Sequence, residues 1–578
     1  MASAISSRVT PGSSPPPGAT TDALHPERSI DVRGTAKLNR KSGRLLRAVP
    51  VLLSVSLVVA ACGTSDDTSG DAADVGQAQQ GGSVTALLEQ SFAGGWPTGL
   101  DPATNTTGGA NLPQMHAIYG GLFLLEADDD GSNARIVPNQ AESYEISEDG
   151  LTLTITLREG IEFTDGTPLD AEAVAWNFRR NTDAPCTCAP QWQLAEDEPI
   201  TVVDPLTVEV TFEAPNAAIV NSFPVSNINW IASPSSYEEM GEEQFAATPV
   251  GAGPFTVVEN EFSSRLVLER NEDYLKEDLP YLDELIFQSI GGDQPALQAL
   301  QAGQAQAYEG MSTSPLINEA QATEGLVTTV QPPTSPYVVQ LNTAIPPFDD
   351  KRAREAIYHA TDFDAIAEGV FGGQFPVSQS FTAEGGLFHT AEIDGYPEYD
   401  PERAQEIVDE LGGLSVHMGT ISIHTATTVL TALETQWLEA GIDVTTDNYQ
   451  LSTLIEEFQG GEWQAMLQTA GAWDPAAGVG VSFRFASTAP FSGVADEDLD
   501  GLLDAAIATL DPDERFALYQ EAGELIAQEA YAPFGLAFAP ANIAADGVHG
   551  PGLTTQIPAI AVNSGVLWER VWTDQEQQ

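Results

Sequence analysis

Between Leu151 and Leu157 the chain alternates strictly, with Leu151, Leu153, Ile155 and Leu157 separated by Thr152, Thr154 and Thr156. Side chains of an extended backbone point to opposite faces in turn, so a period of two predicts a strand with one buried and one solvated side. Asp149-Gly150 and Asp165-Gly166 supply turns around it. Asp170 then offers an N-cap to the helical stretch AEAVAWNFRR, which places Val174 and Phe178 on one face and makes Trp176 a core residue. Further strands are expected over residues 83–88, 206–212, 253–258 and 265–269, and a helix over 112–124. The second half is more helical. Asp349-Asp350 precedes one helical pattern over 351–371, Asp400-Pro401 opens a second that Gly412 can close, and Asp511-Pro512 opens a third. Short strands at 420–424 and 466–468 lie between them, so the class is mixed α/β, and no repeat of fixed period is present.

The N-terminal region follows none of these patterns. Arg44 to Cys62 reads RLLRAVPVLLSVSLVVAAC, a basic flank and an apolar run from Ala48 to Ala61 ending in small residues. A transmembrane helix needs about 20 apolar residues, whereas this shorter run with a basic start describes a secretory signal peptide. Val59-Ala60-Ala61-Cys62 resembles the lipobox of bacterial lipoproteins, which makes Cys62 the acylated N-terminus of an exported chain held on the outer face of the cell membrane. Residues 62–82, small, polar and acidic, read as a flexible tether.

Composition narrows the function classes. The 578 residues carry 22 Lys and Arg against 84 Asp and Glu, a formal net charge of −62. Removing residues 1–61, with eight basic and three acidic groups, takes it to −67. Such a surface repels nucleic acid, and no nucleic-acid partner is expected. Adaptation to high salt and plain solubility by self-repulsion both account for the acidity. Three cysteines cannot form a disulfide scaffold. Cys186 and Cys188, in APCTCAP, are read as a loop-clamping disulfide, with a soft-metal site as the other reading; a metal needs more ligands than lie nearby, and none is expected.

Several short motifs follow in order along the body. They are IYGGLF at 118–123, IVPNQAESY at 136–144 followed by DGLTLTITLREGIEFTDGTPLDAEAV, and PVGAGPF at 249–255. LERN at 268–271 with Asp273-Tyr274, Leu297 and Leu300 before Ala302-Gly303, and LNT at 341–343 through PFDD at 347–350 complete the set. Over about residues 81–570 the chain resembles the extracytoplasmic solute-binding proteins of ABC importers, family 5, the peptide and nickel-binding type. That resemblance implies a bilobed periplasmic-binding-protein-like fold of the large type II cluster with two hinge crossings. Lobe I would take residues 83–125, 246–336 and 534–578, an inserted subdomain 126–245 and lobe II 337–533, with crossings near 337–343 and 530–536. A monomer, a small-molecule or peptide ligand, ABC permease subunits in the membrane and no cofactor are the expectations that follow.

In that family, peptide binders carry an aromatic and an acidic group facing the cleft. Trp473 and Asp474 stand at the matching place, in GAWDP, although the spacing is shorter than the family's. Asp474 has two readings, an anchor for a ligand ammonium or a turn acid before Pro475. Tyr337 and Asn342, on the first expected crossing, and Trp96, in a glycine-rich loop, complete the candidate ligand contacts. His417 and His424 read as structural or exposed. Two other functions compete with capture of a solute, most simply an oligopeptide or peptide-like compound, for import. One is a secreted lipoprotein hydrolase, for which the chain offers no Gly-x-Ser-x-Gly elbow and no His-Glu-x-x-His helix. The other is a sensory or adhesive solute-binding lipoprotein without an importer.

Overall fold

The computed structural model describes residues 78–89, 99–105, 111–182, 192–471, 473–477, 480–489, 491–558 and 565–574. Cys62, Trp96, Cys186 and Cys188, with the expected leader and most of the tether, lie outside the described residues.

Two large mixed sheets form the framework. The first has seven strands in the order Leu326–Val330, Ala541–Ala545, Ala307–Met311, Ser83–Glu89, Glu284–Ile290, Arg265–Arg270 and Phe255–Glu261. Alternate residues of Ser83–Glu89 serve two cores. Val84 and Ala86 pack with Met115, Phe287 and Trp568, whereas Leu87 packs with Leu297, Leu300 and Ile543. Both faces of this sheet are therefore covered, as mixed and parallel sheets require. The second sheet has five strands, Asp443–Tyr449, Ser415–Ile421, Ala465–Thr469, Pro336–Leu341 and Phe534–Ala537. Here Tyr337, Val339 and Leu341 face one core and Val338 the other. Burying such apolar side chains contributes about 1.5–3 kcal/mol each, the main force holding the sheets to their helices.

The alternating stretch forms Thr152–Leu157, inside an antiparallel four-stranded sheet with Ala141–Ile146, Thr207–Thr211 and Ile200–Asp204. Leu153, Ile155 and Leu157 are fully buried against Val174 and Phe178 of the helix Ala171–Thr182, and the threonines are half-buried on the other face. Asp170 caps that helix, its carboxylate accepting from the Ala173 amide at 3.0 Å.

The chain passes between the two large sheets at residues 331–335 and again at 538–540, flanking the stretches named as crossings from the sequence. The two passages lie side by side. The Gln331 amide donates to the Pro540 carbonyl at 2.8 Å, and the Phe538 amide to the Ser335 carbonyl at 3.2 Å.

The family motifs meet at one corner. The expected helix 112–124 ends at Tyr119, because Gly120 and Gly121 both adopt positive φ (73° and 85°), and the chain continues as the strand Phe123–Glu126. Gln140 Nε2 donates to the carbonyls of Tyr119 and Ala252, Asn139 Nδ2 to those of Gly120 and Gly121, and Asn271 Nδ2 to that of Gly253. The PVGAGPF loop runs so close to this helix end that a Cβ on Gly251 or Gly253 would lie 2.4 or 2.5 Å from the backbone of Ile118.

Three other expectations change. The pattern over 351–371 is two helices, Lys351–His359 and Phe363–Phe371, because Asp362 caps a new start by accepting from the Ala365 amide at 2.8 Å. His424 opens the helix His424–Glu439 and is not on the preceding strand, which ends at Ile421. Trp176 is only partly buried, its ring edge-on to Tyr237 and beside the Arg180 guanidinium, which lies over the Tyr237 ring. Among the described residues, no helix is long and apolar enough to cross a membrane.

Gly253→Ala should lower stability by about 3 kcal/mol, since neither neighbour at the close approach is a movable side-chain end. The midpoint of urea unfolding reads this directly, and Gly291→Ala, at a glycine with open space around it and no positive φ, serves as control.

Candidate functional site

The strand Ala465–Thr469 lies inside the five-stranded sheet, and its C-terminal end projects a loop carrying Trp473 and Asp474. The loop is tied to the first passage: the Ala470 amide donates to the Pro336 carbonyl at 2.7 Å and the Gly471 amide to Ser335 Oγ at 2.9 Å. Asp474 Oδ1 accepts from the Ala476 amide at 2.8 Å, so the acid closes its own turn before Pro475.

Trp473 is 4% exposed and packs in a cluster with Ala477, Leu124, Leu125, Val225, Ile557 and Leu567. Apart from Ala477, these partners come from elsewhere in the chain, from the short hairpin at Phe123–Glu126, from residues 223–225 and from the C-terminal stretch beyond the seven-stranded sheet. The indole therefore joins the five-stranded-sheet body to the rest of the molecule. A cavity of about 40 Å³ adjoins this seam, sharing Leu124, Leu125 and Leu567 and lined further by His116, Asn229 and Trp230. The buried Trp230 Nε1 has no hydrogen-bond partner among the described residues.

Asp474 is fully buried and already engaged. Asn221 Nδ2 donates to Oδ2 at 2.6 Å, and Arg515 Nη2 lies 3.3 and 3.4 Å from the two carboxylate oxygens. Arg515, 6% exposed, also donates from Nε to the Ala506 carbonyl and lies over the Phe388 ring at 4.6 Å. Burial opposes the charge on its guanidinium, yet Asp474 and Tyr519, by charge and hydrogen bond together, outweigh that and raise its pKa above the ordinary value. In this geometry Asp474 closes a turn and pairs with Arg515. Its charge is answered within the protein.

A second group of charges lies beside the cavity. Glu569, with no exposed side chain, has Lys276 Nζ at 3.4 Å, His116 Nε2 at 3.5 Å and Arg570 Nε at 3.9 Å, and Arg570 also pairs with Glu126. Burial on its own raises the Glu569 pKa, but the charges of His116, Lys276 and Arg570 outweigh it and hold the carboxyl below its ordinary value. Burial pushes His116 down from its ordinary value, against the pull of Glu569.

The remaining candidates are placed differently. Tyr337 is 3% exposed within the five-stranded sheet's core, where burial pushes its phenol pKa well up. Asn342, also 3% exposed, donates from Nδ2 to the Gly461 and Trp463 carbonyls at 3.2 and 2.8 Å and accepts from the Ala344 amide. The structure thus brings Trp473 and Asp474 to one seam and leaves Tyr337 and Asn342 inside one body. Sequence reasoning missed Arg515, Asn221 and the aliphatic partners of Trp473. The usable signal was the scarcity of cations: an arginine on the buried face of the helix Pro512–Gln528 needs an acid.

Arg515→Met should cost about 3–5 kcal/mol by leaving Asp474 as an uncompensated buried charge. Combining it with Asp474→Asn should recover a large part of that loss, and a double-mutant cycle by chemical denaturation measures the coupling.

The chain matches the family described as bacterial extracellular solute-binding proteins, family 5 (Middle) over residues 135–490. It is 29% identical over 438 residues to the glutathione-binding protein GsiB of Salmonella paratyphi A, covering 72% of this chain and 82% of that protein. Among solved structures it is similar to the periplasmic binding protein DppA of Helicobacter pylori in complex with the peptide STSA, with a TM-score of 0.70 at 21% identity over 86% of this chain and 99% of that one. It is likewise similar to the oligopeptide-binding protein AppA of Bacillus subtilis in complex with a nonapeptide, with a TM-score of 0.71 at 18% identity over 86% of this chain and all of that one. These two likenesses fit the bilobed periplasmic-binding-protein fold, and the family match covers more than half of the sequence: the chain belongs to the bacterial extracellular solute-binding proteins of family 5.

Proposed function

We propose that this protein is the receptor of an ABC importer, capturing a peptide or peptide-like solute between two lobes and presenting it to a membrane permease. The observation that carries the reading is the seam at Trp473, where a loop of the five-stranded-sheet body packs on side chains from the rest of the molecule. Two adjacent chain passages connect the same bodies. Such a layout permits hinge closure, with a bound solute stabilising the closed state through contacts it makes in no other. Relatives bind glutathione and solved neighbours hold peptides, which supports a peptide-like ligand.

In this reading lobe II comprises the five-stranded sheet and its helices, lobe I the seven-stranded sheet, and the four-stranded sheet the inserted subdomain, with hinges at 331–335 and 538–540. Trp473 would face the solute from lobe II. Cys62, acylated after signal cleavage, would anchor the protein to the outer face of the membrane, and residues 63–82 would give the receptor its reach.

A peptide ligand at a hundredfold excess over Kd should stabilise the protein by about 2.7 kcal/mol, seen as a rise in Tm with no peptide cleaved. Cleavage of the peptide would favour a hydrolase, and binding without loss of uptake on gene deletion a sensory receptor. Cys62→Ser should abolish the acyl mass on the mature N-terminal peptide and release the protein from membranes; unchanged membrane association would refute the anchor.

A further inference from the structure

In so acidic a protein, the placement of the cations decides what charge a solute can bring. Residues 62–578 contain 14 arginines and lysines, all of them among the described residues. Each donates a hydrogen bond to an acceptor of the protein itself.

Near the Trp473 seam the opposite charges match. Arg515 faces Asp474, while Arg570 and Lys276 face Glu126 and Glu569. An anionic group arriving here would have to draw Arg515 away from Asp474, or Arg570 from its two glutamates. Asp474 and Glu569 have no exposed side-chain surface, so the first exchange strands a buried carboxylate and the second leaves buried Glu569 with fewer cations to answer its charge. A neutral group draws on none of these ion pairs, and the cluster of Trp473, Leu124, Leu125 and Leu567 beside them is apolar. Farther out, the net charge of −62, or −67 without residues 1–61, creates a negative field that slows anions and attracts cations.

We infer that the solute is neutral or cationic, and that Asp474, Glu126 and Glu569, by engaging Arg515, Arg570 and Lys276, exclude acidic peptides, glutathione among them. This rests on the reading of the protein as a peptide receptor and narrows it. It separates this chain from the glutathione-binding proteins with which it shares 29% identity.

The test is calorimetric titration of the full chain with tetrapeptides of equal apolar content carrying one lysine, no charged side chain or one glutamate, and with glutathione. The lysine and neutral peptides should bind about tenfold or more tightly than the glutamate peptide or glutathione. Equal or tighter binding of the glutamate peptide or of glutathione overturns the inference while leaving the receptor reading intact. Failure of every peptide to bind overturns both. Glu126→Gln provides a second check, because the Glu126 side chain is 26% exposed and its loss leaves Arg570 with one acid fewer. The gap between neutral and glutamate peptides should narrow several-fold in that variant; an unchanged gap removes Arg570 from the account.

Discussion

With 84 carboxylates against 22 lysines and arginines, this chain folds against its own repulsion, and several of its few cations join segments far apart in sequence. Arg180 pairs with Asp101, tying the helix Ala171–Thr182 to the loop at 99–105. Arg354 donates to the Phe348 and Glu529 carbonyls, linking two helices of the five-stranded-sheet body. Arg515 joins Asp474, and Lys276 and Arg570 surround Glu569. An exposed pair contributes little, but a buried carboxylate without its cation is costly, so removing any of the buried partners has consequences far beyond one lost contact. Arg484 is buried beside Gln468 and Gln340, and burial lowers its pKa to about 9.

Packing supplies the stability that charge does not. Each large sheet is covered on both faces, and each has its own pair of hydrophobic clusters. Bodies with separate cores can move as units when only short passages join them, and the passages here, 331–335 and 538–540, run together. The contact at Trp473 is of another kind, a small apolar cluster gathered from four parts of the chain. A closure that forms and breaks this cluster leaves both main cores intact.

Much of the fold was legible because it rests on short-range rules. Leu153, Ile155 and Leu157 bury as their alternation demands, and Asp170, Asp350, Asp400 and Asp511 each accept from a first-turn amide. Gly412 closes its helix in the left-handed conformation at φ 78°. The motifs that carry the family resemblance are mostly structural, since Gln140, Asn139, Asn271 and Gly253 build one corner by hydrogen bonds and close approach. Where local signals compete, reading by pattern failed. Residues 351–371 have continuous helical periodicity, yet Asp362 restarts the helix, because the cap satisfies an amide that a continuous helix would satisfy otherwise.

The sequence by itself determined most element types, the order of the motifs, the family and the excess of negative charge, all of which depend on residues close together in the chain or on simple counts. It also drew attention to Trp473 and Asp474. Tertiary structure alone decided what those residues meet. Arg515 lies 41 positions from Asp474 and Asn221 lies 253 away, and no local rule selects such partners. Tyr337 and Asn342 show the same limit: adjacency in sequence to a crossing does not say what a side chain packs against, and both are buried within the body here. Electrostatic pairing and burial act through space, so they are settled only when the chain has closed on itself.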